Sequence, residues 1–260
     1  MEQVSVEAAA ALVAVAAGVR GLWSPCGLSM LSTITPIGER SRGARYPTTA
    51  AWYVGGAVAG GASLGCCMAV VALGVATWHP GTGAVAALGG VSAATAMASD
   101  ARLGGVSLPV HRRQVNERWL DRYRPWVYGA GFGWQIGTGL CTYIVTAANY
   151  LLVVLAGLSG SPLAALALGT VFGLVRGLTV LASRDLRSFA ALQLRHRWVQ
   201  RTGPFVRDLT IAAEGVAAMA LVAAVAPLAA GVVALAMVAV FVATAPQRRS
   251  PACSLDASRG

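Results

Sequence analysis

The sequence predicts an all-α polytopic membrane protein of about seven transmembrane helices, with six as the alternative count, and three observations carry that prediction. Of 260 residues, 56% are hydrophobic and only 12% charged, and the mean hydropathy is +0.64; a soluble domain has about a quarter of its residues charged. Apolar runs recur at the length of about 18 residues or more that carries a helix across about 30 Å of hydrocarbon. The charges fall between those runs rather than within them. An alternating strand pattern of about ten residues, the mark of a membrane barrel, is absent.

Taken in order, the apolar segments are 8–35, 50–77, 83–101, 126–157, 162–182, 209–226 and 228–245. Basic residues concentrate in Arg40 to Arg45, Arg102 to Arg124 and Arg184 to Arg207, with Arg248 and Arg249 beyond the last segment. The connections between them, Trp78-His79-Pro80-Gly81 and Ser159-Gly160-Ser161-Pro162, are short and lack acidic or arginine side chains. Because basic loops are retained inside, this alternation predicts an inner or plasma membrane protein with its N-terminus outside and its basic loops cytoplasmic. Leu209 to Ala245 is too long for one span, and Pro227 divides it into two. The Ala-rich start, which carries Glu2 and Glu7 in place of a basic n-region, is expected to be a first span and not a cleaved signal. The domain reading is one transmembrane unit, 1–249, followed by a short polar cytoplasmic tail, 250–260.

The net charge of +10 comes from arginine alone. It reports topology, and no aromatic and basic residues interleave on a polar surface as nucleic-acid readout requires. The histidines His79, His111 and His196 are scattered, so no zinc or haem ligand set is expected, and no phosphate-cradling loop or Ser-His-Asp set is present. The expectation is no cofactor.

Two cysteines stand out. Cys26 closes Gly21-Leu22-Trp23-Ser24-Pro25-Cys26, and Cys141 lies in Gln135-Ile136-Gly137-Thr138-Gly139-Leu140-Cys141-Thr142. Each interrupts an apolar segment of about 30 residues, longer than the about 20 a straight crossing needs. Pro25 removes a backbone donor in the first segment, and Gly137 and Gly139 loosen the fourth. The topology runs the two segments in opposite directions. Paired broken helices in inverted halves point to a site at their interface, so the chain reads as a three-plus-three inverted repeat, 8–101 and 126–226, with an added helix at 228–245.

The residues resemble a known family, the CcdA and DsbD-transmembrane-domain thiol-disulfide transporters of cytochrome c biogenesis. Ser24-Pro25-Cys26 is similar to the Ser-Pro-Cys motif of their first span, and Phe132-Gly133-Trp134 followed by Cys141 is similar to the cysteine-bearing stretch of their fourth. The resemblance implies that Cys26 and Cys141 form a reversible disulfide, reduced by a cytoplasmic thioredoxin and passing electrons to an extracytoplasmic thioredoxin-like protein. Exchange of this kind proceeds by thiolate attack through a mixed disulfide. Free backbone donors at a helix break favour the thiolate, and Arg20, just upstream of Cys26, is a candidate to add to that field. Thr142 flanks the second cysteine.

Other candidates were weighed beside these. Cys66 and Cys67, adjacent in the second span amid Gly60, Gly61 and Gly65, offer a soft-metal site only if the helix unwinds, and read first as small packing residues. Cys253 lies in the polar tail. Arg20, Arg176 and Glu214 fall inside apolar spans, where a charge is costly and must face the bundle interior; pairing of Arg176 with Glu214 is open, and Arg176 is the strongest functional candidate of the three. Asp100 and Arg102 mark a span end. Two readings follow: a thiol-disulfide electron carrier, or a small-solute or soft-metal transporter on the same scaffold.

Overall fold

The computed structural model describes residues 2–109 and 119–244. His111, Arg248, Arg249, Cys253, the tail 250–260 and the middle of the Arg102 to Arg124 run lie outside the described residues. The described chain is helical: α1 (Glu2–Arg20), a 3-10 turn (Gly21–Trp23), α2 (Pro25–Thr33), α3 (Pro36–Ser41), α4 (Tyr46–Trp78), α5 (Thr82–Ala101), α6 (Trp119–Arg122), α7 (Pro125–Thr138), α8 (Ala148–Leu158), α9 (Pro162–Leu178), α10 (Phe189–Ala223) and α11 (Pro227–Thr244). Helix starts follow a local rule. Ser24-Pro25, Thr35-Pro36 and Ser161-Pro162 each place a hydroxyl at the N-cap, accepting from a backbone N–H of the first turn, and a proline at the first helical position. There the missing donor costs nothing.

Among the described residues, four helical stretches are long and apolar enough to cross a membrane: Ser5–Trp23, Tyr46–Trp78, Thr82–Ala101 and Pro162–Ser183. The chain is a multi-pass membrane protein. The segment expected at 126–157 is two helices, α7 of 14 residues and α8 of 11, with residues 139–147 non-helical between them. Neither reaches the about 20 residues of a full crossing. The segment expected at 8–35 is likewise divided between α1 and α2. The split expected at Pro227 is present, because α10 stops at Ala223 and α11 starts at Pro227.

One expectation changes. The basic run Arg184 to Arg207 is not a loop; from Phe189 it is the first half of the 35-residue α10, continuous with its apolar second half. Ser188 caps it at the Ala191 amide, 3.2 Å. Arg, Leu, Gln and Ala are strong helix formers, and the helix continues through Pro204 although its ring forfeits a backbone donor and crowds the preceding turn.

The core is organised around α4. The small residues of α7 recur every four positions, and Gly129, Gly133 and Gly137 meet Thr49, Tyr53 and Ala57 in the same chain direction. On the other flank Gly169, Gly173 and Gly177 of α9 meet α4 in the opposite direction, at Gly65 and Gly61, at Gly61 and Ala57, and at Ala57 and Val54. A Cβ at Gly61, Gly133 or Gly173 would strike backbone. Van der Waals contact of backbone on backbone is what holds apolar helices together where no hydrophobic effect separates protein from lipid. Cys66 and Cys67 take no part in this approach. Both lie on the exposed side of α4, which corrects their reading as packing residues.

Candidate functional site

The first helix break is built by Ser24. Its hydroxyl donates to the Gly21 carbonyl at 2.6 Å and accepts the Gly27 amide at 3.0 Å, closing α1 and opening α2 in one residue. Pro25 takes the first helical position, so Cys26 sits in the first turn of α2, 1% exposed. It packs in a cluster with Met30, Tyr53, Phe132 and Ile136.

The second break is built by Gly139 and Asn149. Gly139 ends α7 at φ +67°, a left-handed conformation that an L side chain rarely adopts. The Asn149 amide reaches back from α8 to donate to the Gly139 carbonyl at 3.3 Å, meeting one of the acceptors that α7 leaves open. Within the described residues 139–147, Cys141 alone is exposed. Gly137, expected to loosen this segment, instead lies inside α7 against Ala57. Its role is close approach, and the break belongs to Gly139.

Both breaks touch one buried cation. Arg176 of α9 is 2% exposed, with its guanidinium carbon 5.5 Å from the centre of the Phe172 ring. A Cβ on Gly21 would lie 2.9 Å from Arg176 Nε, and one on Gly139 would lie 3.2 Å from Nη1 and 2.5 Å from the Phe172 ring. Arg176 is also within electrostatic reach of Cys26 and Tyr53. Its Nε, the Thr142 hydroxyl and the Asn149 side-chain oxygen are all buried without a hydrogen-bond partner. Native proteins rarely leave such groups unmet, so each calls for a water, ion or partner not among the protein atoms.

The remaining sequence candidates fall elsewhere. Arg20 lines a different cavity with Asp100 and Arg207, and no ion pair joins Arg176 to Glu214, whose two carboxylate oxygens are buried without partners. Among the described residues no cluster of three or more His, Cys, Asp or Glu has metal-holding geometry. Cys26 and Cys141 are both thiols in this structure. Sequence reasoning missed Asn149 and Tyr53, although a lone Asn at the head of an apolar run was the available signal. It also missed Glu39, which is fully buried and gathers Arg42, Thr49 and Tyr128.

No family model and no solved structure matches the chain. Curated relatives do. The chain is 32% identical to methylamine utilization protein MauF of Paracoccus versutus over 174 residues, 65% of this chain and 62% of that protein. It is 33% identical to MauF of Methylorubrum extorquens over 161 residues, 60% and 55% of the two chains. It is 34% identical to MauF of Methylophilus methylotrophus over 179 residues, 65% and 60%. The chain thus spans less than two thirds of the length of these relatives. They overturn the expected assignment to the CcdA and DsbD family. The local chemistry fits the correction: the prolines usual in that family after the first cysteine and around the second are absent. Gly27-Leu28-Ser29 follows Cys26 and Leu140-Cys141-Thr142 surrounds the second. The tight turn at the first break instead uses Gly27, where a Cβ would strike the Leu22 carbonyl at 2.7 Å.

Proposed function

We propose that this protein is a membrane thiol-disulfide carrier that serves methylamine utilization, the process named in its relatives. Cys26 and Cys141 are the exchanging pair, and Arg176 is the cation that their two broken segments share. The observation that carries the reading is the meeting of both helix breaks, at Gly21 and Gly139, on the Arg176 guanidinium. Two oppositely directed broken segments that meet at one cation support exchange between the two faces, with the basic loops cytoplasmic. A cytoplasmic dithiol protein of the thioredoxin type reduces the Cys26–Cys141 disulfide, itself becoming a disulfide. The reduced pair then passes two electrons and two protons to the disulfide of an extracytoplasmic thioredoxin-like protein. Exposed Cys141 is the side open to a partner and buried Cys26 the resolving thiol.

The test is acid trapping in cells followed by a gel-shift thiol reagent. An oxidised form that disappears on reduction, and in both Cys26→Ser and Cys141→Ser, is the expected result. If no such form accumulates even when the cytoplasmic reductant is removed, the carrier reading fails.

A further inference from the structure

A cavity of about 440 Å³ opens between the end of α1, the end of α5, the start of α8 and the middle of α10, away from Cys26 and Arg176. Three guanidinium groups line it, from Arg20, Arg102 and Arg207, with the carboxylate of Asp100. Asp100 is already committed. One of its oxygens accepts the Thr146 hydroxyl and the other accepts the Ala147 amide at 2.8 Å, so that it caps the start of α8. Among the described residues none of the three arginines forms an ion pair. Arg207 Nε is enclosed without a hydrogen-bond partner. Asp208, within electrostatic reach of Arg20, and Glu214, within reach of Asp100, add carboxylates nearby, but neither lines the cavity, where three arginines face one carboxylate.

We infer that this cavity binds a phosphate-type oxyanion. Three donors with fixed fork geometry, one carrying a buried N–H that nothing accepts, suit a tetrahedral anion with several acceptor oxygens, and guanidinium groups match phosphate bidentately. The site lies where α10 passes from its basic half to Leu209 and the apolar half, and where α5 ends at Ala101. That is the level of lipid headgroups, so a phospholipid phosphate and a free phosphate are the two sources of the same chemistry. The anion borders Ile144, Val145, Thr146 and Ala147, the second half of the break that carries Cys141. It braces that irregular backbone at residues that Arg176 does not contact.

The experiment measures thermal unfolding of the full chain, once in neutral detergent titrated with inorganic phosphate, and once in vesicles of phosphatidylcholine with or without phosphatidylglycerol. Wild type is expected to gain about 3 °C or more at saturating ligand. Arg207→Gln and Arg102→Gln are expected to lose that gain, and Arg187→Gln, on the exposed surface outside the cavity, to keep it. A response to phosphatidylglycerol alone assigns a lipid headgroup, and a response to inorganic phosphate assigns a soluble oxyanion. If Arg207→Gln does not fold, Arg102→Gln, whose side chain is exposed, carries the test. No gain in wild type with either ligand, or an undiminished gain in the cavity variants, overturns the inference.

Discussion

The Tyr128 hydroxyl donates to Glu39 Oε2 at 2.6 Å, joining α3 to α7 at the base of the α4 seam. Glu39 is fully buried, and the same oxygen accepts the Thr49 hydroxyl at 2.5 Å while Oε1 faces Arg42 at 2.9 Å. Three side chains, Arg42 at the end of α3, Thr49 of α4 and Tyr128 of α7, therefore share one carboxylate. This node holds α3, the return from the first broken segment, against the two helices that position the second.

Tyr128→Phe should destabilise the protein by about 1–3 kcal/mol, because it removes a donor from a buried carboxylate while leaving the ring packing intact. Thermal unfolding in detergent measures it. A double-mutant cycle with Thr49→Val should be non-additive, since both hydroxyls serve one oxygen. Additive effects would show that the two bonds act independently.

The α4 seams should tolerate no added carbon. Gly61→Val and Gly133→Val each force side-chain atoms into the facing backbone, and a loss of about 1–3 kcal/mol or more is expected, visible as aggregation on size exclusion. Gly74→Val, where a Cβ meets open space, should behave as wild type in that assay.

Thiol labelling should separate the two cysteines. In the folded, reduced protein Cys141 should be alkylated first and Cys26 only after unfolding, as read by mass spectrometry of the two peptides. Equal rates would mean that the first break opens readily.

Arg176→Gln should slow disulfide exchange about tenfold, the effect of about 1.4 kcal/mol on the exchange barrier, read as the rate at which the oxidised form is reduced by a dithiol. Arg176→Lys should recover part of the rate, because a cation remains. A rate that Arg176→Lys leaves as low as Arg176→Gln does would assign Arg176 to packing.

Asp100→Ala should loosen the start of α8 by about 0.5–2 kcal/mol, the cost of a lost cap. Amide exchange at Ala147 and Ala148 should rise while exchange in α4 stays slow, which distinguishes local fraying from global loss.

The residues differ in how far they could be read from order alone. The break at Pro25 and the turn at Ser159 to Pro162 depend on neighbours in sequence, and they were legible. So was the division at Pro227. Gly137 and Gly139 look alike in a string of letters, yet one meets Ala57 across a helix seam and the other turns the chain at positive φ. Only the identity of what lies opposite separates those roles. The same holds for Arg20 and Arg176: sequence proximity pointed to Arg20 as the cation beside Cys26, whereas Arg20 faces Asp100 and Arg207. The Arg184 to Arg207 run was read as a loop because charge marks the membrane boundary, and charge says nothing about whether the backbone beyond that boundary stays helical.

By itself the sequence determined that the chain crosses a membrane several times and that its first and fourth apolar segments are broken beside cysteines. Those properties follow from composition, run length and the local chemistry of Pro, Ser and Gly, all of which act over a few residues. Tertiary structure decided that Arg176, far from both cysteines in sequence, is the cation the two breaks share. It also decided that Asp100 caps α8 and that Cys141 is exposed while Cys26 is buried. Such facts depend on which helix faces which, and that is settled by backbone contacts between glycines on α4, α7 and α9 whose partners are remote in the chain.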